Sequence, residues 1–284
     1  MDPGPLRDVL TALLGLATGV LSGLFGVGGG VISQPGMRLL GVEPLVAIGT
    51  ALPAIIPGAA SGTVRYARER MIWWRAVLAT VPVGLAAAIL GGLLSEEVPG
   101  DGHLLQLATA GLLGFSAWRM SQQHARPPLP DATPLAESDA PEAPATAEAP
   151  PAADDEDGDR TTTRTYLAIG AAAGLLSGLL GIGGGVLMVP AFVHFARMPV
   201  KTAIATSLAC VGAFAIPGTI THAVEGHVDW GIAAALIVGI IPGARIGAHL
   251  AIAATDRRLR LVVSAFLGLT AVLYFGGEVV ALST

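Results

Sequence analysis

Two stretches hold the residues with the clearest chemistry to offer. Gly19 to Pro35 reads GVLSGLFGVGGGVISQP and Gly174 to Pro190 reads GLLSGLLGIGGGVLMVP, so a G-x-L-S-G-L-x-G-x-G-G-G-V frame recurs at a constant offset of 155. Glycine takes positive φ at no steric cost. Gly26, Gly28, Gly29 and Gly30 can therefore end one helix and let a short second helix begin near Val31. Gly181, Gly183, Gly184 and Gly185 can do the same ahead of Val186. A helix start presents unpaired N–H groups and partial positive charge, and two such starts approaching each other would make an anion site. The competing reading is that the glycines only allow helices to pack closely. A nucleotide-binding loop does not fit, because a Walker loop needs a Lys followed by Ser or Thr after a strand.

The polar residues near these breaks are few. Ser33 and Gln34 sit on the short helix of the first half, where the second half has Met188 and Val189. An amide in an apolar segment needs a partner, so Gln34 is either interhelical glue or a substrate ligand. Thr50, Thr206 and Ser207 fall one or two turns into the following helices. Their hydroxyls can bond their own helix carbonyls, while the equivalence of Thr50 and Thr206 across the repeat favours a ligand role. Arg245 is the one basic residue well inside a span, two residues after Pro242-Gly243. It is a candidate gate or counter-ion, or it snorkels. His222, Glu225, His227 and Asp229 crowd one loop. Their spacing is loose for a metal and reads as a solvated loop, so neither metal nor cofactor is expected; His222 is a candidate for proton coupling.

The elements that must position these residues lie in a membrane. Of 284 residues, 52% are hydrophobic and 13% charged, against about 25% charged in soluble domains, and mean hydropathy is +0.66. Apolar segments fall at about 6–25, 29–41, 44–64, 73–94 and 103–120, then at 165–180, 184–197, 200–221, 230–252 and 261–280. The predicted fold is an all-α polytopic membrane protein with five helical segments in each half, the second of each five being a short helix or re-entrant hairpin. Residues 1–122 form the first repeat, 123–164 a linker and 165–284 the second repeat. The linker has ten acidic side chains between 127 and 159, no Lys or Arg there, and eight prolines between Pro127 and Pro151. Such a segment is expected to be disordered and solvated. The first apolar segment belongs to the repeat and has only Arg7 ahead of it, so it reads as a retained helix and not as a signal peptide. Cys210, the single cysteine, reads as a buried thiol.

The repeat continues past the glycines: Thr50 and Leu52 fall on Thr206 and Leu208, Gly62 on Gly218, Tyr66 on His222 and Trp74 on Trp230. Cytoplasmic loops favour Lys and Arg. Arg65, Arg68, Arg70 and Arg75 put the third loop of the first half inside, whereas the equivalent loop, His222 to Trp230, has Glu225 and Asp229 and neither Lys nor Arg. Arg257, Arg258 and Arg260 put the next loop of the second half inside, and its counterpart holds Glu96 and Glu97. Equivalent loops thus face opposite sides, the pattern of two inverted repeats. The linker comes out cytoplasmic and both termini outside, with Arg7 and Arg38 as exceptions to the charge rule.

Inverted repeats with broken helices recur in secondary transporters. The glycine frame, the A-I-x-T-[SA]-L stretch at Ala47 to Leu52 and Ala203 to Leu208, and His222-x-x-x-Gly-x-Val-Asp-Trp230 resemble the sulfite exporter family of the TauE/SafE type. The resemblance covers the chain except the acidic linker, and the first half departs from it at Arg-Glu-Arg-Met-Ile-Trp in the loop. It implies a multi-pass transporter of a prokaryotic cytoplasmic membrane, an exporter of sulfite, sulfonates or related small anions. A passive anion channel, or a non-transporting subunit that recruits a partner through the acidic linker, stays open beside it. An intramembrane enzyme does not fit, for the spans lack paired carboxylates or a nucleophile with a base. Expected partners are the lipid bilayer and a small anionic substrate, with a homodimer left open and no nucleic acid.

Overall fold

In a computed structural model the described residues, which are 5–95, 111, 114–115, 117–118, 156–180 and 184–283, form helices joined by short turns, with no strand among them. The helices are α1 (Pro5–Phe25), α2 (Gly30–Leu39), α3 (Pro44–Arg68), α4 (Trp74–Ser95), α5 (Glu156–Leu180), α6 (Gly185–His194), α7 (Val200–Val224), α8 (Trp230–Ala253) and α9 (Asp256–Ser283). Among the described residues, stretches of α1, α3, α4, α7 and α8 are long and apolar enough to cross a membrane. Most of the segment expected at 103–120, and the linker between 119 and 155, lie outside the described residues.

The helix order follows the repeat. α2 and α6 have ten residues each, and α3 and α7 have 25 each. One boundary differs from the expectation: α5 begins at Glu156, inside the stretch assigned to the linker. Hydropathy marks where a helix becomes apolar, not where it starts. The helix therefore begins ahead of its first apolar residues.

The halves are interleaved. α1 packs along α8 and α4 along α5, so the first helix of each half lies on the fourth helix of the other. α3 touches both α7 and α8, and α7 touches both α3 and α4. Small residues make the first of these contacts close: Gly15, Gly19 and Gly23 face the backbone of Leu236, Ile240 and Ala244, while Gly239, Gly243 and Gly247 face that of Ala12, Leu16 and Val20. A methyl at any of these six would overlap a carbonyl of the facing helix. Gly170 and Gly174, the repeat equivalents of Gly15 and Gly19, meet Thr80 and Gly84 in the same way. Helices that share lipid as solvent gain from such contact through dispersion and not through the hydrophobic effect. Part of the glycine frame is therefore packing, as the competing reading held.

Buried aromatic and aliphatic side chains fill the rest. Phe25 stacks on Phe266 at 4.4 Å between ring centroids, and the buried Tyr66 hydroxyl donates to the Gly23 carbonyl at 2.7 Å. Arg7, an exception to the charge rule, pairs with Asp229 at 3.5 Å, and the Asp229 Oδ1 caps α8 by accepting from the Ile232 N–H at 3.0 Å.

Candidate functional site

The remaining glycines of the frame interrupt the helices. α1 stops at Phe25 because Gly26 and Gly28 take left-handed backbone, with φ of 67° and 76°, which would cost a side-chain-bearing residue about 1–2 kcal/mol. Gly29 then caps α2 in the right-handed region, with φ of −78°. In the second half Gly184 caps α6 with φ of 64°; Gly181 and Gly183 lie outside the described residues. Gly30 and Gly185 open the two short helices, and Val31 and Val186 follow them, both buried. The two breaks are thus equivalent in position but not in backbone conformation.

The breaks meet. A methyl placed on Gly185 would come 2.6 Å from the Val27 carbonyl oxygen, so the start of α6 lies against the turn between α1 and α2. Ser207 of α7 joins them: its hydroxyl donates to the Gly26 carbonyl at 2.8 Å and lies 3.5 Å from the Gly185 carbonyl. The first-half equivalent of Ser207 is Ala51, which has no hydroxyl. Ile55 and Val211, equivalent residues of α3 and α7, close over the junction. A methyl at Gly28 would meet Val211 Cγ1 at 2.5 Å and Ile55 Cγ2 at 3.9 Å.

One polar neighbour escaped the sequence reading. Thr18 of α1 is fully buried against Gly29, where an added methyl would come 2.7 Å from its Cγ2, and its Oγ1 has no hydrogen-bond partner. Its repeat equivalent is Ala173. A threonine inside a helix normally bonds back to its own carbonyls, so nothing in the sequence marked this one. Ser33, by contrast, does bond back, to the Gly29 carbonyl at 3.0 Å. Gln34 is buried one turn into α2.

The other candidates sit away from the junction. The Thr206 hydroxyl accepts the Trp73 N–H at 3.1 Å, and the Thr50 hydroxyl accepts the Asp229 N–H at 3.0 Å. Each threonine thereby receives the residue ahead of the fourth helix of the opposite half. Five residues separate Thr50 from Ile55 and Thr206 from Val211, about 7–8 Å along a helix. Arg245 lies on the seam between α3 and α8, where its Nε donates to the Ser61 hydroxyl at 3.1 Å and Ser61 in turn donates to the Ile241 carbonyl at 2.9 Å. It is five residues past Ile240, whose side chain touches Gly29. His222 lies at the end of α7, beside Gly49. Ser207, Thr18 and the glycines converge; Thr50, Thr206, Arg245 and His222 do not join them.

The apolar bundle, with five helices able to cross a membrane, fits an integral membrane protein, and comparison with known proteins gives its class, a membrane transporter. The sequence profile described as "Sulfite exporter TauE/SafE" matches residues 11–274. A "Probable membrane transporter protein" of Xylella fastidiosa (strain 9a5c) is 31% identical over 255 residues, covering 86% of this chain and 84% of that protein. The "Probable membrane transporter protein YunE" of Bacillus subtilis (strain 168) is 29% identical over 252 residues, covering 84% and 87%. The longer "Probable membrane transporter protein MamO" of Magnetospirillum gryphiswaldense is 28% identical, with 85% of this chain matching 40% of that protein. No solved structure matches the chain. The chain belongs to the TauE/SafE sulfite exporter family, and the relatives it matches are named as membrane transporters rather than as enzymes.

Proposed function

We propose that the protein is a secondary transporter that exports small anions, of the sulfite, sulfonate or related organosulfur kind. The carrying observation is the junction at Ser207, where the start of α6 meets the turn that leads from α1 into α2. The first N–H groups and the dipole of each short helix would offer an oxyanion partial positive charge without a fixed cation. That arrangement binds an anion weakly enough to release it. Thr18 would supply a hydroxyl from α1, and Gln34 a further polar group from α2. The family description, which names sulfite, favours a small oxyanion over a large one.

In this reading the halves are inverted in the cytoplasmic membrane, both termini are outside and the acidic linker is inside. The opposite charge bias of equivalent loops supports it, as does the reciprocal bonding of Thr50 and Thr206 to the opposite half. Ile55 and Val211 would form the apolar plug between the substrate and the two aqueous sides, and rocking of the halves would part them alternately. Arg245, open on the α3–α8 seam, would draw the anion towards the inner side.

A thermal-shift screen of the purified protein against sulfite, sulfate, a sulfonate and a carboxylate tests the substrate class. Stabilisation that saturates with sulfite or a sulfonate is the expected result. Absence of stabilisation by any small anion, with transport intact in Gly29→Leu, would overturn the helix-start site.

A further inference from the structure

The turn between α7 and α8 gathers three metal-ligating side chains. His222 Nδ1, Glu225 Oε2 and His227 Nδ1 all lie within 4.8 Å of one another; His227 Nδ1 is 3.1 Å and His222 Nδ1 3.8 Å from the Glu225 oxygen. The ligand edges of a tetrahedral zinc site are about 3.4 Å, given bonds of about 2.0–2.1 Å. The three atoms therefore need shifts of only some tenths of an ångström to an ångström to share one cation. The side chains keep 20%, 42% and 32% exposure, which leaves them room to move and an approach for an ion.

The backbone explains why a spacing that reads as loose closes into a site. Gly226 takes φ of 76°, and the His227 N–H bonds the His222 carbonyl at 2.9 Å while the Gly226 N–H bonds that of Ala223 at 3.3 Å. This pair of bonds is the Schellman ending of a helix. It folds the chain back so that residues five apart face each other, with the imidazole centroids 5.8 Å apart.

A second observation points to a ligand. His222 Nδ1 is buried and has no hydrogen-bond partner. The residue at the same place in the first half, Tyr66, has its hydroxyl bonded to the Gly23 carbonyl. The first half thus uses this position to tie α3 to α1, whereas the second leaves a ring nitrogen turned to a carboxylate with its bonding capacity unused. Asp229 is not needed as a ligand, being already committed to Arg7 and to the cap of α8.

We propose that His222, Glu225 and His227 bind one divalent transition-metal cation of the zinc class, with a fourth position left to water. The His227 carbonyl abuts Gly49 of α3, so the bound ion would hold the α7–α8 turn against the start of α3. The site stands on its own geometry and does not depend on which substrate the protein carries.

The test is titration of Zn2+ alone into the detergent-purified full chain, carried on an affinity tag without histidine. One equivalent is expected at pH 7.5. Protons compete with a metal ion for its ligands, so affinity should fall at least tenfold between pH 7.5 and pH 5.5. His227→Ala and Glu225→Gln, both at partly exposed positions, should each weaken binding at least tenfold while the metal-free melting temperature stays within a few degrees. His194→Ala should bind as the unaltered chain does. No saturable uptake of micromolar Zn2+, or affinity unchanged in both His227→Ala and Glu225→Gln, would overturn the site.

Discussion

The hydroxyl of Ser207 on α7 and the carbonyl of Gly26 at the end of α1 are 2.8 Å apart, although 181 residues separate them. This bond joins the two halves where the turn between α1 and α2 meets the start of α6. Ser207→Ala removes the donor and leaves a buried carbonyl short of a partner. Such interhelical bonds are worth about 0.6 kcal/mol on average and up to about 1.7 in membranes. The variant should melt a few degrees lower and should lose more transport than stability, which parallel melting and flux measurements on one preparation would show. Equal, small losses in both would place Ser207 in packing alone.

Gly28 meets two constraints at once, a left-handed backbone and the Val211 methyl. Gly28→Ala should cost about 1–2 kcal/mol from the backbone, with a further packing cost from Val211. Val211→Ala in the same chain should relieve the second part and not the first, giving a favourable coupling in a double-mutant cycle. Additive losses would mean that Val211 does not close over the break.

The Thr50 and Thr206 hydroxyls make the same bond in mirrored positions. Thr50→Val and Thr206→Val should therefore destabilise the protein by similar amounts, about 0.5–1.5 kcal/mol each. They share no partner, so the double variant should be additive. Denaturant unfolding in detergent checks this, and a large effect at only one of the two positions would contradict the equivalence.

How far the sequence discloses this arrangement varies from residue to residue. The glycine breaks are legible because the frame is written twice, and glycine is the residue that a left-handed turn selects. The same frame does not say which glycines pack and which break. Gly19 and Gly28 look alike in sequence, and only the facing backbone of Ile240 or the φ of 76° tells them apart. The pairing of Thr50 with Thr206 is legible, yet their partners are backbone N–H groups in the other half, which no local pattern encodes. Thr18 was invisible because its neighbour Gly29 lies across a turn. His222, Glu225 and His227 read as scattered because their convergence depends on one left-handed glycine, Gly226. The start of α5 is not legible, because hydropathy marks only where a helix becomes apolar.

Deleting residues 127–159 removes ten acidic side chains and eight prolines. The deletion also takes Glu156, Asp157 and Asp159 from the first turn of α5, so a version ending at Asp155 is the cleaner variant. Transport by either should stay within about twofold of the full chain, since α1–α4 and α5–α8 are held together by the α1–α8 and α4–α5 contacts. Loss of flux in both, with the protein still folded, would give the linker a direct part in function.

In the proposed function a small anion is driven uphill through the junction between the α1–α2 turn and the start of α6. Flux of radiolabelled sulfite into proteoliposomes, driven by an ion gradient and compared with Gly28→Ala, tests it most directly. Sulfite should accumulate above the outside concentration in the unaltered protein, a sulfonate should compete with it, and the variant should lose nearly all accumulation even where it inserts and folds. Flux that only equilibrates, or accumulation that survives Gly28→Ala unchanged, would contradict it.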